Sequence, residues 1–267
     1  MAVDLAWTAA PDCGYHRCDE GFVLTAILTD IHGNREALEA CLASVRQHGA
    51  ERIVFLGDLV GYGADPGFDV DTAMAEVERG AIALLGNHDS AAIGNDEGMN
   101  AEATHAIRWT RTQLSGRQRG FLSALPLTAE AGDLLYVHAS ASLPQLWDYM
   151  LDADAAARSL SATQARITFC GHTHVPVAFH LMKAQGIVPY EPPMNEALSL
   201  TGGRWVIVVG AVGQPRDRNP LACYALHDDV AGMLTYVRVP YDVDGAARKI
   251  KAAGLPQRLA ARLAFGQ

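Results

Sequence analysis

The sequence predicts an α/β protein with two β-sheets, and three observations predict it. Short aliphatic and β-branched runs (FVLTAILT, RIVFLG, AIALLG, DLLYV and RITFCG) have the composition of strands buried on both faces. Helical stretches separate the first three runs, giving a βαβαβ opening. Beyond residue 174 the character changes to shorter strand-like runs with turns between them, namely VPVAFH, RWVIVVG, LACYALH and MLTYVRV. That change suggests a second, largely antiparallel sheet packed on the first.

Taken in order, residues 1–20 come first as a leader, expected to be disordered or weakly docked, ahead of a single domain over 21–267. The leader lacks the positive n-region and apolar h-region of a signal peptide. In CGYHRC, Cys13 and Cys18 flank His16, but no second cluster stands at zinc-site spacing, so a metal role is disfavoured. The first strand is expected over about 22–29. A helix follows, with Asn34 as its cap, Ala37, Leu38, Cys41, Leu42 and Val45 at helical spacing, and Gly49 at its end. Strands at 52–56 and 81–85 bracket the next helix. Helical segments follow around 100–124, and strands return at 133–138 and 167–170. Residues 181–200 contain three prolines and little periodicity, which predicts a surface excursion, with an active-site rim as the alternative. The basic C-terminal ARKIKAAGLPQRLAARLAFG predicts a solvated helix face rather than a nucleic-acid or membrane patch.

Composition bounds the function. Apolar residues make up 49% and charged residues 19%, and no apolar run reaches the roughly 20 residues that span a bilayer, so no membrane association is expected. The net charge of −9 argues against general binding of nucleic acid, because phosphate backbones are held by Lys and Arg. A phosphate substrate stays open, since bound metal ions reverse the local field. Five scattered cysteines fit reduced thiols and a cytoplasmic protein.

The informative feature is how the strands end. The five runs lead into Asp30 and His32, Asp58, Asn87, His138, and His172 and His174. Asn and Asp after a strand are ordinary turn residues; five such endings, all drawn from Asp, Asn and His, call for another account. In sheets flanked by helices, ligands bind beyond the carboxyl ends of strands, where chain segments converge. Seven N and O donors are too many for one tetrahedral zinc and suit two ions sharing a ligand. Asp58, alone after its strand and carrying two oxygens, suits the bridge. Residues two apart in an extended or turning segment point the same way, so each of the other pairs can address one side of the site.

As a set, LTDIHGN, FLGDLVGYG, LLGNHD, YVH and FCGHTH resemble the five blocks of the calcineurin-like metallophosphoesterase superfamily, in order and in spacing, over about residues 22–180. GYGADP and GAVGQPRDRNPLACYAL resemble a bacterial and archaeal phosphodiesterase-like branch. The resemblance implies a four-layer αββα sandwich, two β-sheets face to face with helices outside. It also implies that Asp30, His32, Asp58 and His174 hold one divalent ion, and that Asp58, Asn87, His138 and His172 hold the other. His88 would be the general acid, with Asp89 orienting its imidazole. A hydroxide bridging the ions would attack phosphorus in line while the leaving oxygen takes the proton of His88. Manganese is the expected metal, with Fe, Zn, Ni or Co as alternatives.

Departures from the pattern narrow the substrate. Ser90 stands where protein phosphatases of the superfamily carry a phosphate-gripping Arg, which weakens a phosphoprotein reading. Arg216 could supply that phosphate contact or form a salt bridge. Gly210-Ala211-Val212-Gly213 lacks the hydroxyl residue common in the branch, and Ala139-Ser140 replaces Gly-Ser after His138. The expectation is an enzyme for phosphodiesters or small nucleotide phosphoesters. A dinucleoside polyphosphate hydrolase is the alternative; a catalytically silent binding scaffold is disfavoured because every ligand position and His88 are present.

Overall fold

A computed structural model describes residues 24–94 and 96–267, so the leader with Cys13, His16 and Cys18 lies outside the described residues. Strand β1 (Leu24–Leu28) alternates faces: Ala26 and Leu28 pack toward helices and Ile27 toward the other sheet. Helix α1 (Arg35–Gln47) starts where the Asn34 side chain accepts the Ala37 N–H, and it buries the five predicted apolar positions. Strand β2 (Arg52–Phe55) leads to helix α2 (Pro66–Glu78), which opens with proline. Strand β3 (Ile82–Ala83) is shorter than predicted, because the Leu85 N–H turns away to the Pro126 carbonyl.

Instead of a turn, residues Asn87–Ile93 form helix α3. Helices α4 (Ala101–Gln113) and α5 (Gly116–Ala124) follow, separated at Ser115, whose hydroxyl caps the second. Strands β4 (Thr128–Ala131) and β5 (Leu134–Val137) form a hairpin. Helix α6 (Ala153–Ser161), which the sequence reading did not mark, leads to β6 (Ile167–Cys170). The remaining strands are β7 (Val177–Met182), β8 (Gly186–Tyr190), β9 (Ala197–Ser199), β10 (Arg204–Val208), β11 (Ala222–Asp228) and β12 (Met233–Val239). Helices α7 (Val243–Ala252) and α8 (Gln257–Leu263) close the chain.

These strands form two six-stranded sheets, ordered β3-β2-β1-β11-β12-β9 and β4-β5-β6-β10-β7-β8. The sheets face each other across a core that includes Ile27, Val54, Tyr136, Phe169, Ile207 and Tyr236. On the outside, α1 covers the first sheet and α6 the second, with Leu38 and Leu42 on one side and Ala156 and Leu160 on the other. The result is the four-layer αββα sandwich.

Two features differ from the sequence reading. The second sheet does not begin after residue 174. Each sheet combines parallel strands from the first half with strands from the second, β11 lying antiparallel to β1 and β10 parallel to β6. Alternation and burial identify strands, but they do not say which sheet a doubly buried strand joins. Residues 181–200 are also more than an excursion, because they supply edge strands β8 and β9, one to each sheet. No helix among the described residues is long and apolar enough to cross a membrane.

Candidate metal centre

Strands β1, β2 and β3 of one sheet and β5 and β6 of the other release their chains toward one another. The loops after β1 and β2 are laced together by main chain: the Ile31 and His32 N–H groups both reach the Asp58 carbonyl at 2.9 Å, and the Gly33 N–H reaches Leu59 at 3.0 Å. The turns are tight enough to put Asp30, His32, Asp58, His172 and His174 in left-handed backbone, with φ between 53° and 66°. Each such non-glycine residue costs on the order of 1 kcal/mol and persists only where its surroundings hold it. Glycine is required where these loops meet. A Cβ at Gly86 would press on the backbone and carboxylate of Asp58, and one at Gly171 on Thr29 and the Asp30 carboxylate.

The structure brings together Asp30, His32 and His174, and separately Asp58, His138 and His172, all buried; His88 forms a third group with His32 and Asp58. Asp30 Oδ2 accepts from Thr29 Oγ1 and from the His172 N–H, both at 2.9 Å. Its Oδ1 has no hydrogen-bond donor and lies 3.2 Å from His174 Nε2 and 3.8 Å from His32 Nε2. Asp58 repeats the pattern. Oδ1 accepts the His88 N–H at 2.7 Å, while Oδ2 has no donor and sits 3.6 Å from His32 Nε2 and 3.4 Å from His138 Nε2. Asp58 thus stands between the two groups. His172 and His174 fall in different groups, contrary to the expectation that each pair serves one side. Both occupy left-handed backbone, in which residues two apart do not point the same way as they do along a strand.

The imidazoles are oriented from behind. Nδ1 of His32 faces the Val60 carbonyl at 3.0 Å, Nδ1 of His138 the Leu56 carbonyl at 3.0 Å, and Nδ1 of His174 the Gln214 carbonyl at 2.6 Å. A carbonyl only accepts, so each Nδ1 carries the hydrogen, and in the neutral His32 and His174 rings Nε2 presents a lone pair. Burial lowers the pKa of His32 and of His174, keeping both rings neutral. Their Nε2 atoms nevertheless face each other at 3.1 Å. Two acceptors at that distance, beside an undonated carboxylate oxygen, form an arrangement that a bound cation would satisfy. At His138, burial alone would lower the pKa, but the Asp58 and Asp30 carboxylates outweigh it and lift it to about 9. Its Nε2 lies 3.0 Å from Asn87 Oδ1. Burial, with the charge on His138 adding to it, holds His172 near 3. The donor set fits divalent ions: imidazoles fixed by carbonyls behind them, carboxylates with one free oxygen, and no thiolate.

His88 lies at the start of α3, its Nδ1 buried without a partner and its ring edge-on to His32 at 4.8 Å. Burial lowers its pKa to about 4 against the pull of Asp58. Asp89 differs from expectation. Its oxygens accept the Val60 and Gly86 N–H groups, each at 3.1 Å, so it ties the β2 loop to the first turn of α3 instead of orienting the His88 ring. Burial and the neighbouring Asp58 lift Asp89 to about 7, against those N–H donors. Arg216 is in no salt bridge among the described residues. It hydrogen-bonds Gln214 Oε1 at 2.9 Å and lies over the Tyr62 ring at 5.6 Å.

Several residues at the site carried no sequence signal beyond their neighbourhood. Tyr62 packs its ring 4.6 Å from His32 and 4.4 Å from His88. Tyr149 stacks on His172 at 4.2 Å, and Trp147 meets His138 edge-on. Gln214 accepts from both Arg216 and Arg262. Arg262 belongs to the C-terminal helix expected to present a solvated face; it is instead half-buried beside the site.

Residues 23–230 match the calcineurin-like phosphoesterase superfamily domain. The chain belongs to that superfamily. Calcineurin-like phosphoesterases are metal-dependent phosphoester hydrolases, and the clustered Asp and His residues suit that chemistry. The chain is 30% identical over 254 residues to an uncharacterised protein of Methanocaldococcus jannaschii, covering 91% of this chain and 98% of the relative. A crystal structure of a metallophosphoesterase from Sphaerobacter thermophilus matches with a TM-score of 0.84 and 36% identity, covering 92% of this chain and all of that one. A hypothetical protein from Pyrococcus horikoshii, 19% identical, shares the fold with a TM-score of 0.74 over 92% of this chain and 99% of its own.

Proposed function

We propose that this calcineurin-like phosphoesterase is a dinuclear enzyme for phosphodiesters or small nucleotide phosphoesters, with manganese as its metal. The observation that carries the reading is the 3.1 Å approach of His32 Nε2 to His174 Nε2, with both Nδ1 atoms committed to carbonyls and Asp30 Oδ1 undonated beside them. Asp30, His32, Asp58 and His174 would hold one ion, and Asp58, Asn87, His138 and His172 the other. Bound there, two divalent ions supply positive charge for a phosphoryl oxygen and lower the pKa of water. The chain's own part is to aim the imidazoles through the Val60, Leu56 and Gln214 carbonyls and to keep one oxygen of each carboxylate free.

His88 is proposed to protonate the leaving oxygen. Its low pKa belongs to a buried ring beside Arg216. A phosphoryl group arriving next to it adds negative charge and raises that pKa toward the range a general acid needs. Arg216 is proposed to contact the phosphoryl group; its buried Nε has no partner and its plane is steadied by Gln214 and Tyr62. Residues 21–267 are proposed as one domain. A cytoplasmic setting belongs to the same reading, since Cys41, Cys170 and Cys223 are free and buried.

The test is metal content against turnover of a nitrophenyl phosphodiester. Two ions per chain are expected, with activity lost on EDTA treatment and restored by Mn. A protein fully active with a single ion per chain would overturn the dinuclear reading.

A further inference from the structure

Beside the metal centre lies a cavity of about 460 Å³, lined by Tyr62, Tyr149, Glu102, Arg216, Arg258 and Arg262 among others. It adjoins the centre on two sides, because Tyr62 packs on His32 and His88 while Tyr149 stacks on His172. Three guanidinium groups face one carboxylate there, in a chain whose net charge is −9. Some arginines elsewhere are paired with carboxylates, as Arg166 is with Asp133 and Arg108 with Asp96, and others, such as Arg204, are satisfied by main-chain carbonyls. Among the described residues the cavity's three arginines enter no ion pair. Arg216 and Arg262 share one neutral acceptor, Gln214 Oε1, at 2.9 and 3.2 Å, and the Nε of each is buried with no partner.

The sequence explains how this arises. Helix α8 buries Leu259, Ala260 and Leu263 against α7 and α4, which fixes its rotation. Arg258 and Arg262, four residues apart, then share the flank that looks into the cavity. Burial and the charge of Arg216 pull the pKa of Arg262 down, so the site favours an anion that reverses that field. Planar guanidinium donors match phosphoryl oxygens, and Arg216 and Arg262, being half-buried, are less screened by solvent than surface charges.

We propose that Arg258 and Arg262, with Arg216 standing between them and the reacting phosphoryl group, seat a second phosphoryl group of the substrate, so that the preferred substrate class carries two or more phosphoryl groups in one molecule, as a nucleoside polyphosphate does. This inference rests on the phosphoesterase reading of the adjacent centre. Tyr62 and Tyr149 each line the cavity and pack on a histidine of the centre, so the two sites are immediate neighbours. A substrate with only one phosphoryl group leaves the arginines uncompensated and forfeits their contribution.

The test compares the metal-loaded parent with the double variant Arg258→Gln/Arg262→Gln and with Arg262→Lys. Calorimetry with orthophosphate and with inorganic pyrophosphate reads binding without turnover. Pyrophosphate is expected to bind the parent at least about tenfold tighter than orthophosphate. That advantage should fall to about twofold in the double variant, the loss expected for one or two charge-assisted hydrogen bonds. Arg262→Lys, which keeps the charge and loses the fork, should fall between, and unchanged melting temperatures would show that the variants fold. In parallel, kcat/KM for a nitrophenyl-capped nucleoside triphosphate relative to a nitrophenyl phosphodiester should drop about 10- to 100-fold in the double variant, mostly through KM. Equal affinity for the two anions in the parent, or an advantage that survives the double substitution, would overturn the proposal. Absence of metal-dependent diester turnover in the parent would instead overturn the reading of the centre, while calorimetry still decides the arginine site.

Discussion

The metal centre and the arginine cavity lie side by side, and each buries polar atoms without partners, but of opposite kinds. At the strand ends the unpaired atoms are acceptors: Asp30 Oδ1, Asp58 Oδ2 and the facing Nε2 atoms of His32 and His174. In the cavity they are donors, Nε of Arg216 and of Arg262. A buried polar atom left unpaired costs about 1–3 kcal/mol, and more when it is charged. Surplus acceptors call for a cation and surplus donors for an anion. Adjacent surpluses of both kinds describe a site that completes itself with metal ions on one side and a multiply charged phosphate compound on the other.

The largest effect should come from Asp58, which alone stands between the two acceptor groups. Asp58→Asn keeps the shape and removes the charge. Metal occupancy should fall at both positions, and turnover should drop by about 10³-fold or more, reflecting several kcal/mol of lost charge stabilisation. Elemental analysis and diester kinetics read the outcome. Loss of one ion with the other retained would break the picture of a single acceptor cluster shared by both groups.

His88 sits on the boundary between the two regions, near His32 and Asp58 and also near Arg216. In its proposed role as proton donor it should matter in proportion to the basicity of the leaving oxygen. His88→Ala should slow alkyl or nucleoside esters by about 10²- to 10⁴-fold and nitrophenyl esters far less, with metal content near the parent's. Asn87→Ala, one residue earlier, should do the reverse, losing an ion and harming both substrates together. Equal damage to both substrate types in the His88 variant, or an ion lost from it, would move His88 into the acceptor cluster as a ligand.

The two regions also differ in how far the sequence disclosed them. The acceptor cluster was legible because its residues lie in the loops just beyond strand ends, so strand periodicity located Asp30, Asp58, Asn87, His138 and His172 at chain ends that a sheet brings together. The pairing of those ends across two sheets was not legible, since a strand buried on both faces looks the same in either sheet. Nor was the role of Asp89, whose carboxylate is engaged by the Val60 and Gly86 N–H groups through a loop contact 29 residues distant for Val60. The donor cavity was the least legible part. Arg258 and Arg262 lie on a helix whose apolar residues alone gave no view of what its flank would face, and only the packing of α8 on α7 and α4 turns them toward the site.

A buried carboxylate far from any cationic surplus provides the smallest and cleanest contrast. Asp69 lies in the first turns of α2, fully buried, with no side-chain donor on either oxygen among the described residues. Burial raises its pKa well above the ordinary aspartate value of 3.8; the Asp65 and Glu36 carboxylates add to the rise, while Lys249 and the Asn34 backbone oppose it. It is held as the neutral acid where Asp58, among histidines, is held ionised. A raised pKa favours folding below the unfolded value, and that contribution is lost as pH climbs through the folded value, because the unfolded chain releases the proton first. Asp69→Asn replaces the neutral acid by a neutral amide of the same shape. It should raise the melting temperature by a few degrees at pH 8 and hardly at pH 4, leaving metal content untouched. Thermal denaturation across pH 4–8 checks this. A variant that melts lower at pH 8 than its parent would show Asp69 to be an ionised, paired carboxylate, and burial alone would no longer distinguish it from the carboxylates of the metal centre.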